Sequence, residues 1–165
     1  MTIEINNLHP RRQVQRYNVE MFLQFLLSKT HRRDPHGPWQ ELSVVFTDDV
    51  QMTELHERLM GDPTSTDVMA VRYDSAPFPG ATEAGELMVN IDRALQAWPG
   101  HGQSHDAHRE LALYLAHGMD HLSGADDSTE PGRRSMRQRE LRWLREAETQ
   151  GAFRRPLIEG VRDAA

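Results

Sequence analysis

An α+β fold, a small mixed β-sheet packed by about five helices, is expected from three features of the 165-residue sequence. Short β-branched or alternating runs are interspersed with apolar patterns of helical period instead of being gathered in one half of the chain. The length suits one hydrophobic core, so residues 1–150 are expected as a single domain and 151–165 as a loosely held C-terminal tail. No apolar run approaches the roughly 20 residues of a membrane span.

The elements follow in order. In "TIEINN", Ile3 and Ile5 alternate with polar neighbours, the pattern of a half-exposed strand. "VQRYNVEMFLQFLLSKT" sets Val14, Tyr17, Met21, Phe22, Phe25 and Leu26 at helical spacing, a helix that covers the sheet. "HRRDPHGPW" breaks it. "ELSVVFTDD" is a strand ending at Thr47-Asp48-Asp49, where a short oxygen-bearing side chain can cap the helix "VQMTELHERLM", which Gly61 and Pro63 then stop. "STDVMAVRY" and "GELMVNI" are strands separated by the Pro/Gly-rich loop "DSAPFPGATEA". After Pro99 a helical pattern runs through "HDAHRELALYLAHGMDHL", apolar on most sides from Leu111 to Ala116 and therefore largely buried. "PGRRSMRQRELRWLREAE" is an Arg-rich helix with Met136, Leu141, Trp143 and Leu144 interrupting the charge.

A net charge of -6 and a pI near 5.8 exclude a general basic field, so unspecific coating of nucleic acid, DNA included, is not expected. The absence of cysteine leaves imidazole and carboxylate as the strong metal ligands. The opening "MTIEINNLHPRRQ" lacks a charged stretch followed by an apolar one, and a cytoplasmic protein is expected.

The chemistry concentrates in "AHGMDHLSGADD", residues 116–127. On a helix, residues four apart share a face, so the rings of His117 and His121 can meet one cation. Gly124 suits a left-handed residue that ends the helix and reverses the chain, which makes Asp127 the candidate third ligand and Asp126 its alternative. Three protein ligands leave a zinc ion, one per chain, an open corner at which water becomes a nucleophile near neutral pH. Against this stands the ordinary polar end of a helix, because histidines recur at this spacing by chance and a helix C-terminus favours imidazolium. "HGQSHDAH" sets His101, His105 and His108 at intervals that could also gather round a metal, but at the solvated start of a helix; His9, His31, His36 and His56 stand isolated. Where zinc peptidases carry a glutamate after the first histidine, this chain has Gly118, so a peptidase mechanism lacks its proton acceptor. Gly118 either makes room beside the metal or marks a close-packing position.

These residues resemble the bacterial YbeY family of zinc-dependent endoribonucleases. The family signature runs His-Gly-x-Leu-His-Leu-x-Gly-Tyr-Asp-His, and both histidines, both glycines, Leu122 and Asp126 fit it. The strand-helix segment "SVVFTDDVQMTELHERLMG", the triplet Thr66-Asp67-Val68, Glu86 in "GELMVN", Arg109-Glu110-Leu111 and Met136-Arg137-Gln138-Arg139-Glu140 are similar to the family pattern in the same order. The resemblance implies single-strand RNA hydrolysis in small-subunit (16S) ribosomal RNA maturation and ribosome quality control, with ribosomal RNA or the small subunit as partner. The chain departs from the pattern where Asp127 replaces the last histidine, Asp120 a leucine and Ala125 a tyrosine; Asp120 either orients an imidazole or faces solvent, the latter preferred. Met60 stands where the family commonly has an arginine that helps handle RNA, and Ala70-Val71-Arg72 replaces Ser-Phe-Pro in the cleft lining.

Eight arginines between Arg133 and Arg155 face three glutamates, a local basic excess that either grips RNA or forms a solvated helix with Glu/Arg pairs; "KTHRR" at 29–33 is a smaller basic spot. Trp39, Trp98 and Trp143 are scattered rather than interleaved with arginine, so sequence-specific reading of a single strand is not indicated. Two rival functions accompany this reading: a ribosome-biogenesis binding factor with a structural or absent metal, and a metal-dependent hydrolase of another substrate.

Overall fold

A computed structural model describes residues 2–30, 40–73, 83–96 and 105–158. The expected breaks at 31–39 and 74–82 lie outside the described residues, and so do Trp98, Pro99 and His101. Four strands, β1 (Thr2–Asn7), β2 (Glu41–Thr47), β3 (Val68–Tyr73) and β4 (Ala84–Asn90), form one sheet in the order β1-β2-β4-β3. β1, β2 and β4 run parallel and β3 is the antiparallel edge, so the sheet is mixed, as the sequence leads one to expect.

Alternation along the strands makes two faces. Leu42, Val44, Phe46, Leu87 and Val89 point to the main core under α1 (Arg16–Thr30), α4 (Ala107–Leu122) and α5 (Glu130–Gln150). On the opposite face Met69 and Met88 meet Met52 of α2 (Asp49–Met60) in a small second cluster. α2 begins at Asp48, whose carboxylate accepts from the Gln51 N–H while the Gln51 side chain returns to the Asp48 N–H; it ends at Gly61 with φ 71°. α3 (Ile91–Leu95) is a single turn that the periodicity does not show: the strand expected through Ile91 ends at Asn90, whose side chain caps the turn by accepting from Arg93 N.

α4 is the buried centre. Leu111, Leu115, Ala116 and Met119 are fully enclosed, and each large apolar side chain so buried contributes about 1.5–3 kcal/mol. Gly118 lets this helix lie directly on β3 and β4: a Cβ there would stand 2.7 Å from Leu87 Cδ2 and 3.1 Å from Val68 Cγ2. Its role is therefore close packing. Overpacking costs about 1–3 kcal/mol, whereas alanine recovers at most about 1 kcal/mol of helix propensity. Gly118→Ala is accordingly expected to lower the melting temperature; an unchanged or higher value would show that α4 simply shifts.

Three expectations are corrected. On α1, Tyr17 is exposed and Val14 precedes the helix; the buried stripe is Val19, Phe22, Leu23, Phe25, Leu26 and Leu27. The segment after Gly151 is held, not loose, as far as Ile158: Phe153 packs edge-on against Phe22 at 5.5 Å, Leu157 pairs with Val14, and Gln15 N and Ile158 N donate to Pro156 O and Gln13 O. Buried backbone groups need partners, and these two segments supply them to each other. His9 is not isolated but buried, with Nδ1 accepting from the N–H groups of Arg11 and Arg12. Its Nε2 therefore carries the proton and donates to Asp92 Oδ1 at 2.7 Å, while Asp92 Oδ2 accepts from Asp49 N.

Candidate metal centre

The last turns of α4 place His117 and His121 one above the other at the edge of a cleft. Ser123 closes the helix and Gly124, at φ 96°, reverses the chain, as its sequence position suggests. The Ala125 N–H then donates back to Asp120 O at 3.1 Å, and the returning loop brings Asp127 to the rings. α5 fixes this loop from the other side. Thr129 caps α5, Arg133 Nη1 donates to Asp127 O at 3.1 Å, and a Cβ on Gly132 would strike Asp126 O at 2.5 Å.

Each ring is oriented through its Nδ1, His117 by Glu140 Oε1 at 2.5 Å and His121 by Ala125 O at 3.2 Å. Both partners are acceptors, so each Nδ1 carries a hydrogen and each Nε2 presents its lone pair. The two Nε2 atoms lie 3.0 Å apart, and Asp127 Oδ2 is 3.3 Å from that of His121 and 3.7 Å from that of His117. Bonds of ~2.0–2.1 Å in a tetrahedron require ligand atoms about 3.3 Å apart. The donor set therefore fits a zinc-sized cation, and three electron-rich atoms converging on one point call for positive charge between them. His117 shows the same demand: burial disfavours its charged form, but the Glu140 hydrogen bond and the charges of Glu140, Asp67 and Asp127 outweigh burial and raise its pKa.

The structure brings His117, His121 and Asp127 together, and among the described residues no second group of this kind gathers. Asp126 does not join them. Its carboxylate accepts from the N–H and hydroxyl of Ser128, both at 2.8 Å, which holds its pKa below the usual value. His105 donates from Nε2 to Ala94 O at 3.0 Å instead of approaching a metal cluster. Asp120 corrects the preference for solvent: it is fully buried between α4 and α5, where Arg139 meets it with two nitrogens, Nη2 at 2.8 Å from Oδ2 and Nε at 3.0 Å from Oδ1. The side of α4 that carries Asp120 thus faces α5, not water.

Sequence reasoning also gave Glu140 no individual role. The available signal was its place on the buried stripe of α5 with Met136, Trp143, Leu144 and Ala147, since a carboxylate there requires a partner. Arg72, in the altered cleft-lining triplet, donates to Leu122 O at 3.0 Å and pairs with Glu83, thereby tying β3 to the end of α4. The cleft itself has a volume of about 810 Å³ and runs past His117 and Asp127 between Ser65, Thr66 and Asp67 on one wall and Arg133 and Arg137 of α5 on the other. Met60 is exposed and does not line it.

Comparison with known proteins adds an independent observation. The family described as Endoribonuclease YbeY matches residues 4–148. The chain is 35% identical over 136 residues to Endoribonuclease YbeY of Mycolicibacterium smegmatis, covering 76% of this chain and 71% of that protein. It is 28% identical over 145 residues to the protein of the same description from Desulforamulus reducens, covering 85% and 93%. A further relative so described, from Salinibacter ruber, is 28% identical over 147 residues, covering 86% and 89%. The solution structure of TM1509 from Thermotoga maritima shares the fold, with a TM-score of 0.55 at 15% identity over 91% of this chain and 94% of that one.

Proposed function

The chain belongs to the YbeY endoribonuclease family, and from this premise we propose that it is a zinc-dependent endoribonuclease acting on single-stranded RNA in the maturation and quality control of the small ribosomal subunit. The observation that carries the reading is the convergence of two orientation-locked Nε2 lone pairs and the Asp127 carboxylate at the wall of a cleft. His117, His121 and Asp127 would hold the zinc ion, which would supply Lewis acidity toward a water nucleophile and a phosphoryl oxygen.

The remaining work falls to the chain itself. Glu140 and the Ala125 carbonyl hold the two Nδ1 protons and so keep the ligand atoms aimed. Arg133 and the α5 N-terminus hold the loop that carries Asp127. Gly118 leaves the ligand helix without the glutamate that zinc peptidases use, which argues against peptide substrates. No described helix is long and apolar enough to cross a membrane.

The decisive experiment offers the purified protein ribosomal RNA and a peptide panel, each beside a His117→Ala control. RNA cleavage that disappears in the control is expected; cleavage of peptides alone would defeat the reading. Protein lacking stoichiometric zinc, with melting unchanged by a chelator, would instead favour the binding-factor role, for which the exposed Arg134 and Arg145 of α5 offer a surface.

A further inference from the structure

Arg137 lines the same cleft as His117 and Asp127, and among the described residues it has no hydrogen-bond or ion-pair partner. A glutamate three residues later on the same helix lies within reach of such a side chain, and the pair would contribute only about 0.2–0.5 kcal/mol. Here Glu140 has turned inward to the His117 ring and is almost completely buried, so it is committed elsewhere. The residues three and four positions earlier, Arg134 and Arg133, are like-charged, and Leu141 lies four positions later. The other cleft arginines are engaged: Arg133 holds Asp127 O and Glu130, and Arg93 donates to Ser65 O. The anion that helix geometry would assign to Arg137 is thus spent on orienting a metal ligand, and the guanidinium faces the cleft with its donors available.

We infer that Arg137 grips a backbone phosphate of the single-stranded RNA lying in this cleft, setting the strand in register with the His117/His121/Asp127 centre. The fork of a guanidinium matches two phosphate oxygens, and one such contact fixes position without reading a base. Arg137 is therefore a positioning residue for substrate, and the inference rests on the reading of the cleft as an RNA site. It also assigns the basic excess of α5 two parts. Arg137 belongs to the cleft, whereas Arg142, five residues on, points well away from it and lines no part of its wall.

The test measures binding of a short, fluorescently labelled single-stranded RNA to the full-length protein by stopped-flow anisotropy, in the phase before any cleavage, across a salt series. Cleavage is followed in parallel for KM and kcat. Arg137→Gln is expected to weaken binding and raise KM roughly tenfold, to leave kcat nearly unchanged, and to reduce the slope of log K against log salt by about 0.7–1. Arg137→Lys restores the salt slope but only part of the affinity, and Arg142→Gln behaves as wild type. An Arg137→Gln protein that binds like wild type, an equal loss in Arg142→Gln, or a wild type that binds no RNA overturns the inference. RNA bound through Arg137 but never cut would remove the endonuclease reading and leave this one standing; RNA cut equally well by Arg137→Gln would do the reverse.

Discussion

Asp120→Ala is expected to destabilise the protein by about 3–5 kcal/mol, a large share of the about 5–15 kcal/mol that holds a typical domain together. The Asp120 carboxylate is wholly enclosed, and its partner Arg139 is only 15% exposed, so the deletion strands a guanidinium between α4 and α5. The position of Arg139 Cζ 5.9 Å over the Trp143 ring recovers only a small part of that loss. Removing both charges is a different experiment. Asp120→Leu with Arg139→Leu eliminates the two desolvated groups together, and a pair so replaced is commonly neutral or even stabilising. Urea midpoints for the single and double variants therefore separate an ion pair from ordinary packing: a double variant as unstable as Asp120→Ala would exclude the pair as the cause. The family pattern that this chain resembles has leucine at this position, so the acid is the departure and Arg139 the partner that accommodates it.

Asp127→Ala is expected to lose both zinc and RNA cleavage, by more than the roughly 10–100-fold that loss of an outer partner such as Glu140 costs. Asp126→Ala is expected to keep both, because its carboxylate serves Ser128 and not the rings. Asp127→His, which restores the ring usual in the family, should also bind zinc, the donor type changing while the count stays at three. Elemental analysis beside an RNA cleavage assay decides the matter. Equal zinc content in Asp127→Ala and wild type would remove this side chain from the centre, whatever the activity.

What the sequence made legible was periodicity and local chemistry. The alternation in "TIEINN" and the β-branched run of "ELSVVFTDD" give β1 and β2, and Asp48, Gly61 and Gly124 mark helix ends because each acts on backbone within a few residues. The pairing of His117 with His121 was legible for the same reason: one helical turn relates them. α3 escaped because five residues carry no period and β4 runs straight into them. Asp120 and His9 escaped because their partners lie 19 and 83 residues away, so that only the packing of α5 on α4, and of α3 beside the first loop, tells a buried charge from a solvated one. Tyr17 falls on the helical spacing of α1 yet faces outward, since spacing fixes a stripe but not how far it extends round the helix.

Glu140 lies 23 residues beyond the ring that it orients, on the last of the described helices. A polypeptide still emerging from the machinery that makes it can thus carry both histidines without the group that aims one of them. Fragments ending before Glu130 are therefore expected to hold metal poorly, because neither Glu140 nor the N-terminus of α5 is present to fix the donor set.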